Sequence, residues 1–313
     1  MKKRLPTSIF ILIFTIGFVL LRQFSLLFFD GFALVMMLGS VIEVVRVQKK
    51  QNQKIDAWLL YLVPVALFAI FAFAKGSLVL SLCLILVVVS VLYLLTFEIF
   101  AYAKSRKENE SVPAEEINAH LFDRTKNTMM VFGYPVLPLS FMFVLNHLGY
   151  QIGYMAIVLI FAVAMMTDTF AYLIGCAFGK RRFIPEVSPK KSIAGVFGGF
   201  FGGILGATLV FVFFYYTKWF DILNIVSLSK SIPAFAILGV IGSYANQLGD
   251  LVASAYKRKA GIKDFSNIFP GHGGFMDRVD GQMFVAVFVY LIFTIFFSGY
   301  HFRYAVVYVW DKS

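Results

Sequence analysis

The chain has 313 residues, of which 60% are hydrophobic and 14% are charged, and its formal net charge is +11. A soluble globular protein has about 25% charged residues. This composition, with a mean hydropathy of +0.81, therefore excludes a soluble domain and indicates an integral membrane protein with several spans. The basic residues lie in short segments between apolar runs, which is the pattern of membrane topology and not of a nucleic-acid surface. We therefore expect no nucleic-acid partner.

Nine apolar runs predict an all-α bundle of about nine transmembrane helices. Their approximate limits are 7–21, 24–45, 57–74, 77–100, 128–147, 153–176, 193–216, 232–256 and 279–300. The first run is short for the roughly 20 residues that a span needs. We expect two regions: residues 1–127, with about four spans and a cytoplasmic loop, and a catalytic region 128–313, with about five spans and cytoplasmic active-site loops at 177–192 and 257–278.

The distribution of basic residues predicts the orientation of these spans. With the N-terminus in the cytoplasm, 22 of the 28 lysines and arginines fall in cytoplasmic segments. This asymmetry favours a cytoplasmic N-terminus and an external C-terminus by the positive-inside rule. We therefore expect a multi-pass protein of the cell membrane whose active-site loops face the cytoplasm.

An aspartate, Asp168, lies within the sixth apolar run, in the sequence Asp168-Thr-Phe-Ala-Tyr172. An ionisable residue inside a membrane segment is a functional hypothesis by default. The alternative is an interior acid whose hydrogen bonds are satisfied by threonine and tyrosine partners on neighbouring helices.

The segment Ser188-Pro-Lys-Lys-Ser192 precedes the seventh run. Ser188 before Pro189 predicts a helix start, which would place Lys190 and Lys191 near a positive helix end and so form an anion site. The alternative is that the lysines only anchor the span at the membrane surface. The glycines of this run predict close helix packing; they are Gly195, Gly198, Gly199, Gly202, Gly203 and Gly206.

The eighth run carries polar residues at helical spacing. These residues are Ser243, Asn246, Gln247, Asp250 and Ser254. Their spacing places them on one helix face, and a polar face on a membrane helix must point into the bundle or into a wet cavity. A purely structural seam of hydrogen bonds is the alternative.

The stretch from Ser254 to Asp280 is the most polar part of the chain. It contains Lys257-Arg258-Lys259, Lys263-Asp264, the turn Phe269-Pro-Gly-His-Gly-Gly274 and Asp277-Arg-Val-Asp280. Charges are too costly for the bilayer core, so this stretch must lie at the water boundary or line a wet cavity. Clustered cations, carboxylates and bare glycine backbone favour binding of phosphate and of a divalent metal.

This stretch closely resembles the signature of the phosphatidate cytidylyltransferases, membrane enzymes that make CDP-diacylglycerol. One position departs from the pattern, because Tyr256 replaces an aliphatic residue or phenylalanine. Two upstream segments are also similar to the family: the one at Asp168-Thr-Phe-Ala-Tyr172 and the one at Ser188-Pro-Lys-Lys-Ser192. The second is usually followed by Trp-Glu-Gly, for which this chain has Ile193-Ala194-Gly195.

The resemblance implies transfer of CMP from CTP to phosphatidic acid, with release of pyrophosphate, in phospholipid biosynthesis. It implies Mg²⁺ bound by Asp250 and Asp277, with Asp280 as a further ligand. The catalytic residues it implies are Asp250, Asp277, Lys263, His272 and Arg278. The substrate-binding residues it implies are Ser188, Lys190, Lys191, Ser192, Asp168, Ser254, Lys257, Arg258, Asp264, Gly273 and Gly274. The lipid substrate would come from the inner leaflet. A second, monovalent cation and a homodimer stay open.

Two alternatives remain at this stage. One is a related CTP-dependent enzyme that acts on another lipid phosphate, such as an isoprenoid or ether lipid. The other is a polytopic transporter, which Asp168 and the polar eighth run would allow. Transporters often contain internal repeats with a site at the membrane midplane. This sequence shows no repeat, and its acids cluster at one boundary, so we favour the enzyme.

Overall fold

The computed structural model describes residues 4–108, 122–148, 150–217 and 228–294, and it is an all-α membrane protein with one small β-hairpin. Its first four helices are α1 (Arg4–Leu21), α2 (Leu26–Lys50), α3 (Ala57–Phe73) and α4 (Ser77–Glu108). Then follow α5 (Asp123–Val131), a π-helical turn (Phe132–Val136), α6 (Leu137–Asn146) and α7 (Tyr150–Phe178). The hairpin strands are β1 (Arg182–Ile184) and β2 (Ser188–Ser192). The last helices are α8 (Ile193–Tyr216), α9 (Leu228–Lys259), α10 (Met276–Val279) and α11 (residues 282–294).

The helices follow the nine apolar runs. Within the described residues, six helical segments are long and apolar enough to cross a membrane: Leu26–Lys50, Ser77–Lys104, Asp123–Asn146, Gln151–Phe178, Ile193–Tyr216 and Ser231–Lys259. Two apolar helices are shorter, Ile11–Leu21 and Ala57–Phe73. The ninth predicted run ends beyond residue 294, outside the described residues, as does the C-terminus. The all-α membrane class is therefore confirmed, whereas the count of nine spans and the orientation stay predictions.

The glycine-rich helix α8 packs tightly between α7 and α9. On one face, a Cβ added to Gly198 or Gly206 would press on the backbone oxygens of Phe170 and Ala162 in α7. On the other face, a Cβ at Gly203 would overlap the backbone of Gly239 in α9. Small residues let membrane helices approach this closely. The predicted packing role of the glycines is confirmed, and it fixes α7 and α9 on either side of α8.

The prediction that a helix starts at Ser188 is wrong. Residues Ser188–Ser192 form strand β2, which pairs antiparallel with β1. Helix α8 begins at Ile193, and its N-cap is Ser192, whose Oγ accepts a hydrogen bond of 3.1 Å from Gly195 N. A serine side chain at the N-cap satisfies an unpaired helical N–H, and Ser192 outcompetes Ser188 because the strand pairing extends through Pro189 and the lysines. Lys190 and Lys191 therefore precede the helix start directly.

A buried polar network joins α1, α2 and α6 at one end of the bundle. Arg22 is fully buried, its Nε donates to Asn146 Oδ1, and its Nη2 donates to Asn146 O at 2.7 Å. Asn146 Nδ2 donates to Asp30 Oδ1 at 2.8 Å, and His147 Nε2 lies 2.9 Å from Asp30 Oδ2. Buried charges persist only when they are paired and hydrogen bonded. This network fixes the start of α2, and Glu43 near the other end of α2 contacts the loop at residues 266–276.

Candidate active site

A polar cleft of about 870 Å³ lies between α7, α9, the β-hairpin and the loop that follows α9. Helix α7 contributes Asp168 and Gly175, and α9 contributes Asn246 and Asp250. Twelve of the predicted site residues line this cleft. They are Asp168, Ser188, Lys190, Lys191, Ser192, Asp250, Lys257, Asp264, His272, Asp277, Arg278 and Asp280.

The polar face of α9 points into the bundle, as its spacing predicts. Ser243, Asn246 and Gln247 are all buried. Asn246 Nδ2 donates to Asp168 Oδ1 at 2.7 Å, which ties α9 to α7. Gln247 Nε2 donates to Ser243 Oγ at 3.2 Å and to Val196 O at 3.3 Å, which ties α9 to α8. The structural seam and the cleft are therefore one feature, because the same helix face forms both.

Lys191 pairs with the aspartate at the cleft end of this face. Its Nζ lies 3.2 Å from Asp250 Oδ2 and donates to Gln247 O at 3.2 Å. The Lys191 side chain is 13% exposed and that of Asp250 is 43% exposed. The hairpin thus places a cation against a carboxylate that still faces the open cleft.

A glycine turn at residues 269–273 places His272 at the cleft. Phe269 N donates to Gly273 O at 2.9 Å, and His272 N donates to Phe269 O at 2.8 Å. Gly271 and Gly273 have φ angles of 77° and 75°. Only glycine adopts such angles readily, so the Gly-His-Gly order is required for the turn to close.

Asp277 follows this turn and is almost completely buried beneath it. Its Oδ1 accepts a hydrogen bond of 2.7 Å from Lys257 Nζ. Its Oδ2 accepts from Phe265 N and Gly274 N, both at 2.9 Å. Asp277 therefore holds the loop together and pairs with Lys257 of α9.

Three further carboxylates line the cleft. Asp168, Asp250 and Asp280 lie close enough together for their charges to interact. Within the described ranges, no group of three or more histidine, cysteine or acidic side chains is arranged to hold a metal by itself. Mg²⁺ usually takes one or two carboxylates, with substrate phosphates and water completing its shell. The oxygen donors of this cleft therefore fit Mg²⁺ when a phosphate-bearing substrate supplies the remaining ligands.

Five predicted site residues do not line the cleft. Ser254 is half-buried and Lys263 is exposed, while Arg258 is exposed and its Nε donates to Val187 O of the hairpin at 3.4 Å. Gly273 and Gly274 are buried behind the turn, against Asp277 and Glu43 respectively. The two glycines therefore let the loop pack closely against these two carboxylates.

Sequence reasoning missed two residues at the site. Arg182 of β1 lines the cleft, and its Nη1 donates to Lys190 O at 3.0 Å. Glu43 of α2 is 1% exposed and hydrogen bonds to the loop that carries His272 and Asp277. The rule that singled out Asp168, an acid inside an apolar run, applies equally to Glu43 in the second run.

The fold and the cleft together define an all-α membrane protein with a site suited to phosphate groups, since cations, carboxylates and a glycine turn converge at the end of the bundle. The model of the cytidylyltransferase family matches residues 2–296, and the chain belongs to that family. Curated relatives include proteins named phosphatidate cytidylyltransferase from Thermotoga maritima, 40% identical over 130 residues, and Aquifex aeolicus, 38% identical over 167 residues. A relative of the same name from Bacillus subtilis is 38% identical over 134 residues.

These alignments cover part of each protein. They span 41% of this chain and 45% of the Thermotoga maritima protein, 53% and 56% for the Aquifex aeolicus protein, and 43% and 45% for the Bacillus subtilis protein. The chain therefore matches about half the length of the curated relatives.

Proposed function

We propose that this protein is a CTP:phosphatidate cytidylyltransferase that makes CDP-diacylglycerol and pyrophosphate. The observation that carries the proposal is the cleft, in which Lys191 pairs with Asp250 and Lys257 pairs with Asp277. Asp250 and Asp277, which would hold a metal, each lie within hydrogen-bond distance of a lysine that would hold a phosphate. The family match and the names of the relatives support the same activity.

The lysines would change partners when substrate binds. Lys191 and Lys257 are each 13% exposed and reach the cleft. A triphosphate entering the cleft offers a stronger anion than one carboxylate, so we expect both ammonium groups to turn towards phosphate oxygens. Arg278, which also lines the cleft, can contact a phosphate through two N–H groups. The carboxylate of Asp250 and the Oδ1 atom of Asp277 are then available to a divalent ion, while Asp277 Oδ2 keeps its bonds to the loop.

The reaction needs no strong general base, because the nucleophile is already an anionic phosphate oxygen. This oxygen of phosphatidic acid attacks the α-phosphorus of CTP and forms a new P–O bond. The bond from the α-phosphorus to the bridging oxygen breaks, and pyrophosphate leaves with that oxygen. The work of the site is to bring two anions together and to stabilise the charge that develops on the transferred group. Lys191, Lys257 and Arg278 supply positive charge for both tasks, and His272 can donate to an oxyanion.

Magnesium is the cofactor that these donors suit best. We assign Asp250 and Asp277 as its protein ligands, with Asp280 beside them. Bound Mg²⁺ supplies electrostatic stabilisation of the triphosphate and of the leaving pyrophosphate. The second, monovalent cation and the homodimer stay predictions.

The lipid substrate would enter sideways from the inner leaflet. Tyr172 and Cys176 of α7 line the cleft and are exposed, Tyr172 by 71%. A phosphatidate headgroup could reach the cleft along this surface while its acyl chains stay in lipid. This route requires the cleft to lie on the cytoplasmic side, as the distribution of basic residues predicts.

The test is turnover by purified protein in defined lipid vesicles. We expect release of pyrophosphate and formation of CDP-diacylglycerol when CTP, phosphatidic acid and Mg²⁺ are all present. A panel of isoprenoid, ether and diacyl lipid phosphates would distinguish the related lipid-phosphate enzymes. Release of pyrophosphate with another lipid phosphate, and not with phosphatidic acid, would overturn the assignment of the substrate.

A further inference from the structure

Glu43 connects α2 to the loop that carries the glycine turn. Its Oε1 accepts hydrogen bonds from Ser266 Oγ and, at 2.9 Å, from Phe275 N. Its Oε2 accepts from Met276 N at 2.9 Å. A carboxylate of the predicted N-terminal region thus binds three donors of the predicted catalytic region, more than 200 residues away in the chain.

The burial of Glu43 makes this contact unusual. The residue is 1% exposed, and within the part of the chain that the structure describes it forms no ion pair. Burying a carboxylate is costly unless hydrogen bonds replace its water. The three donors from the loop provide this replacement, and two of them are the backbone N–H groups of Phe275 and Met276. The loop and Glu43 therefore stabilise each other.

Glu43 and Asp277 hold the same turn from two sides. Asp277 Oδ2 accepts from Gly274 N, and Glu43 accepts from the next two backbone N–H groups, those of Phe275 and Met276. Three successive N–H groups are therefore divided between two acids. Because Asp277 follows Met276 directly, the bond from Met276 N to Glu43 fixes the backbone from which the Asp277 side chain leaves.

Helix α2 packs in direct contact with the loop, without space for an added methyl group. A Cβ added at Gly274 would collide with the Glu43 carboxylate. One turn earlier in α2, a Cβ added at Gly39 would lie 2.5 Å from Cδ2 of the Phe275 ring. Direct contact of a helix backbone with a ring allows little movement, so the position of the turn depends on α2.

We infer that Glu43 is a positioning residue for the reaction. It fixes the backbone at residues 274–276, so that Asp277 and Arg278 stand at the cleft in the geometry that turnover requires. This inference rests on the proposed cytidylyl transfer. It assigns α2, outside the predicted catalytic region, a direct part in the geometry of the site.

The test compares Glu43→Gln with Glu98→Gln in the full-length protein. Glu98 of α4 is a second buried acid, 7% exposed, which accepts from Thr125 N at 2.8 Å and does not line the cleft. Both changes keep side-chain shape and remove a buried carboxylate. In Glu43→Gln, the NH₂ group of the new side chain faces the N–H of either Met276 or Phe275. Because both groups are donors, one hydrogen bond to the loop is lost.

We expect Glu43→Gln to lower kcat about tenfold, with KM for CTP changed less than threefold, at a temperature where both variants are folded. We expect Glu43→Gln and Glu98→Gln to lower Tm by similar amounts, and we expect Glu98→Gln to keep the wild-type kcat. Mn²⁺ affinity, measured by electron paramagnetic resonance without nucleotide, should fall severalfold in Glu43→Gln alone, because Asp277 is displaced.

A wild-type kcat and Mn²⁺ affinity in Glu43→Gln would overturn the inference. So would equal losses of kcat in the two variants, which would show a general loss of stability. If Glu43→Gln does not fold, Ser266→Ala replaces it. We expect that variant to lose about threefold in kcat, and an unchanged kcat would overturn the inference. Failure of the wild type to make CDP-diacylglycerol would instead reject the proposed function. The two failures can be told apart because the Mn²⁺ measurement needs no substrate.

Discussion

Replacement of Lys191 by alanine separates metal binding at Asp250 from phosphate binding by the lysine. The Lys191 ammonium lies 3.2 Å from the Asp250 carboxylate and neutralises it. A divalent ion at Asp250 must displace this ammonium, so Lys191 opposes metal binding when no nucleotide is present. With nucleotide bound, the same ammonium would contact phosphate. Lys191→Ala should therefore bind metal more tightly and turn over CTP more slowly.

The size of the first effect follows from the exposure of the pair. Exposed ion pairs contribute about 0.2–1 kcal/mol, and Asp250 is 43% exposed while Lys191 is 13% exposed. We therefore use the upper end of the range, about 1 kcal/mol, which corresponds to about a fivefold change in affinity. The loss of one charge-assisted phosphate contact should lower kcat/KM for CTP by about tenfold or more.

The assay is a titration of detergent-purified protein with Mn²⁺, followed by electron paramagnetic resonance without CTP. Lys190→Ala is the matched control, because it removes the same charge from the neighbouring position, which does not pair with Asp250 in the structure. Lys191→Ala should have a Kd for Mn²⁺ about fivefold lower than Lys190→Ala. Equal or weaker Mn²⁺ binding in Lys191→Ala would refute the reasoning, because Asp250 would then not be a metal ligand that Lys191 screens.

Three further changes test other parts of the account. Asp277→Asn should abolish turnover and also lower Tm, because Asp277 both pairs with Lys257 and holds the loop; a fully active variant would contradict this. Gly274→Ala should lower Tm and activity by forcing Glu43 away, whereas Gly31→Ala, whose added Cβ meets nothing within 4 Å, should leave activity unchanged. Arg22→Met should cost about 2 kcal/mol of stability by leaving Asn146 without its buried donor, measured as a lower Tm in detergent, and an unchanged Tm would show that the network contributes little.

The helices could be read from the sequence because hydrocarbon imposes a simple rule on this chain. Apolar runs of about 20 residues became helices in nearly the predicted places, and the glycines of α8 pack as expected. The polar face of α9 also followed from spacing alone, since a helix brings Ser243, Asn246 and Gln247 to one side. These are local features, and local pattern determines them.

The hairpin at Ser188 could not be read in the same way. Ser188 before Pro189 and Ser192 before Ile193 are both acceptable helix starts. The choice between them depends on the pairing of β2 with β1, in which Arg182 lies opposite Ser192 and Ile184 lies opposite Ser188. That pairing is a tertiary contact in a segment without alternating polarity, so propensity alone could not select it.

The position of Asp277 at the cleft was predicted, whereas its role as a metal ligand stays a prediction. Its place at the cleft is as expected, but its bonds to Phe265 N and Gly274 N show a loop-holding function that the motif did not indicate. Glu43 was overlooked because it lies far from the motif in sequence. Its place inside an apolar run was a signal for a functional acid, but its partners, two backbone N–H groups and the Ser266 hydroxyl, are identified only by the three-dimensional contact between α2 and the loop.

The most direct test of the central claim uses α-labelled CTP and vesicles that contain phosphatidic acid. Wild-type protein with Mg²⁺ should transfer label into a chloroform-soluble lipid, with one pyrophosphate released for each CMP transferred, and Asp250→Asn or removal of Mg²⁺ should abolish transfer. Unlabelled lipid with every divalent ion supplied, or undiminished labelling by folded Asp250→Asn protein, would contradict the claim.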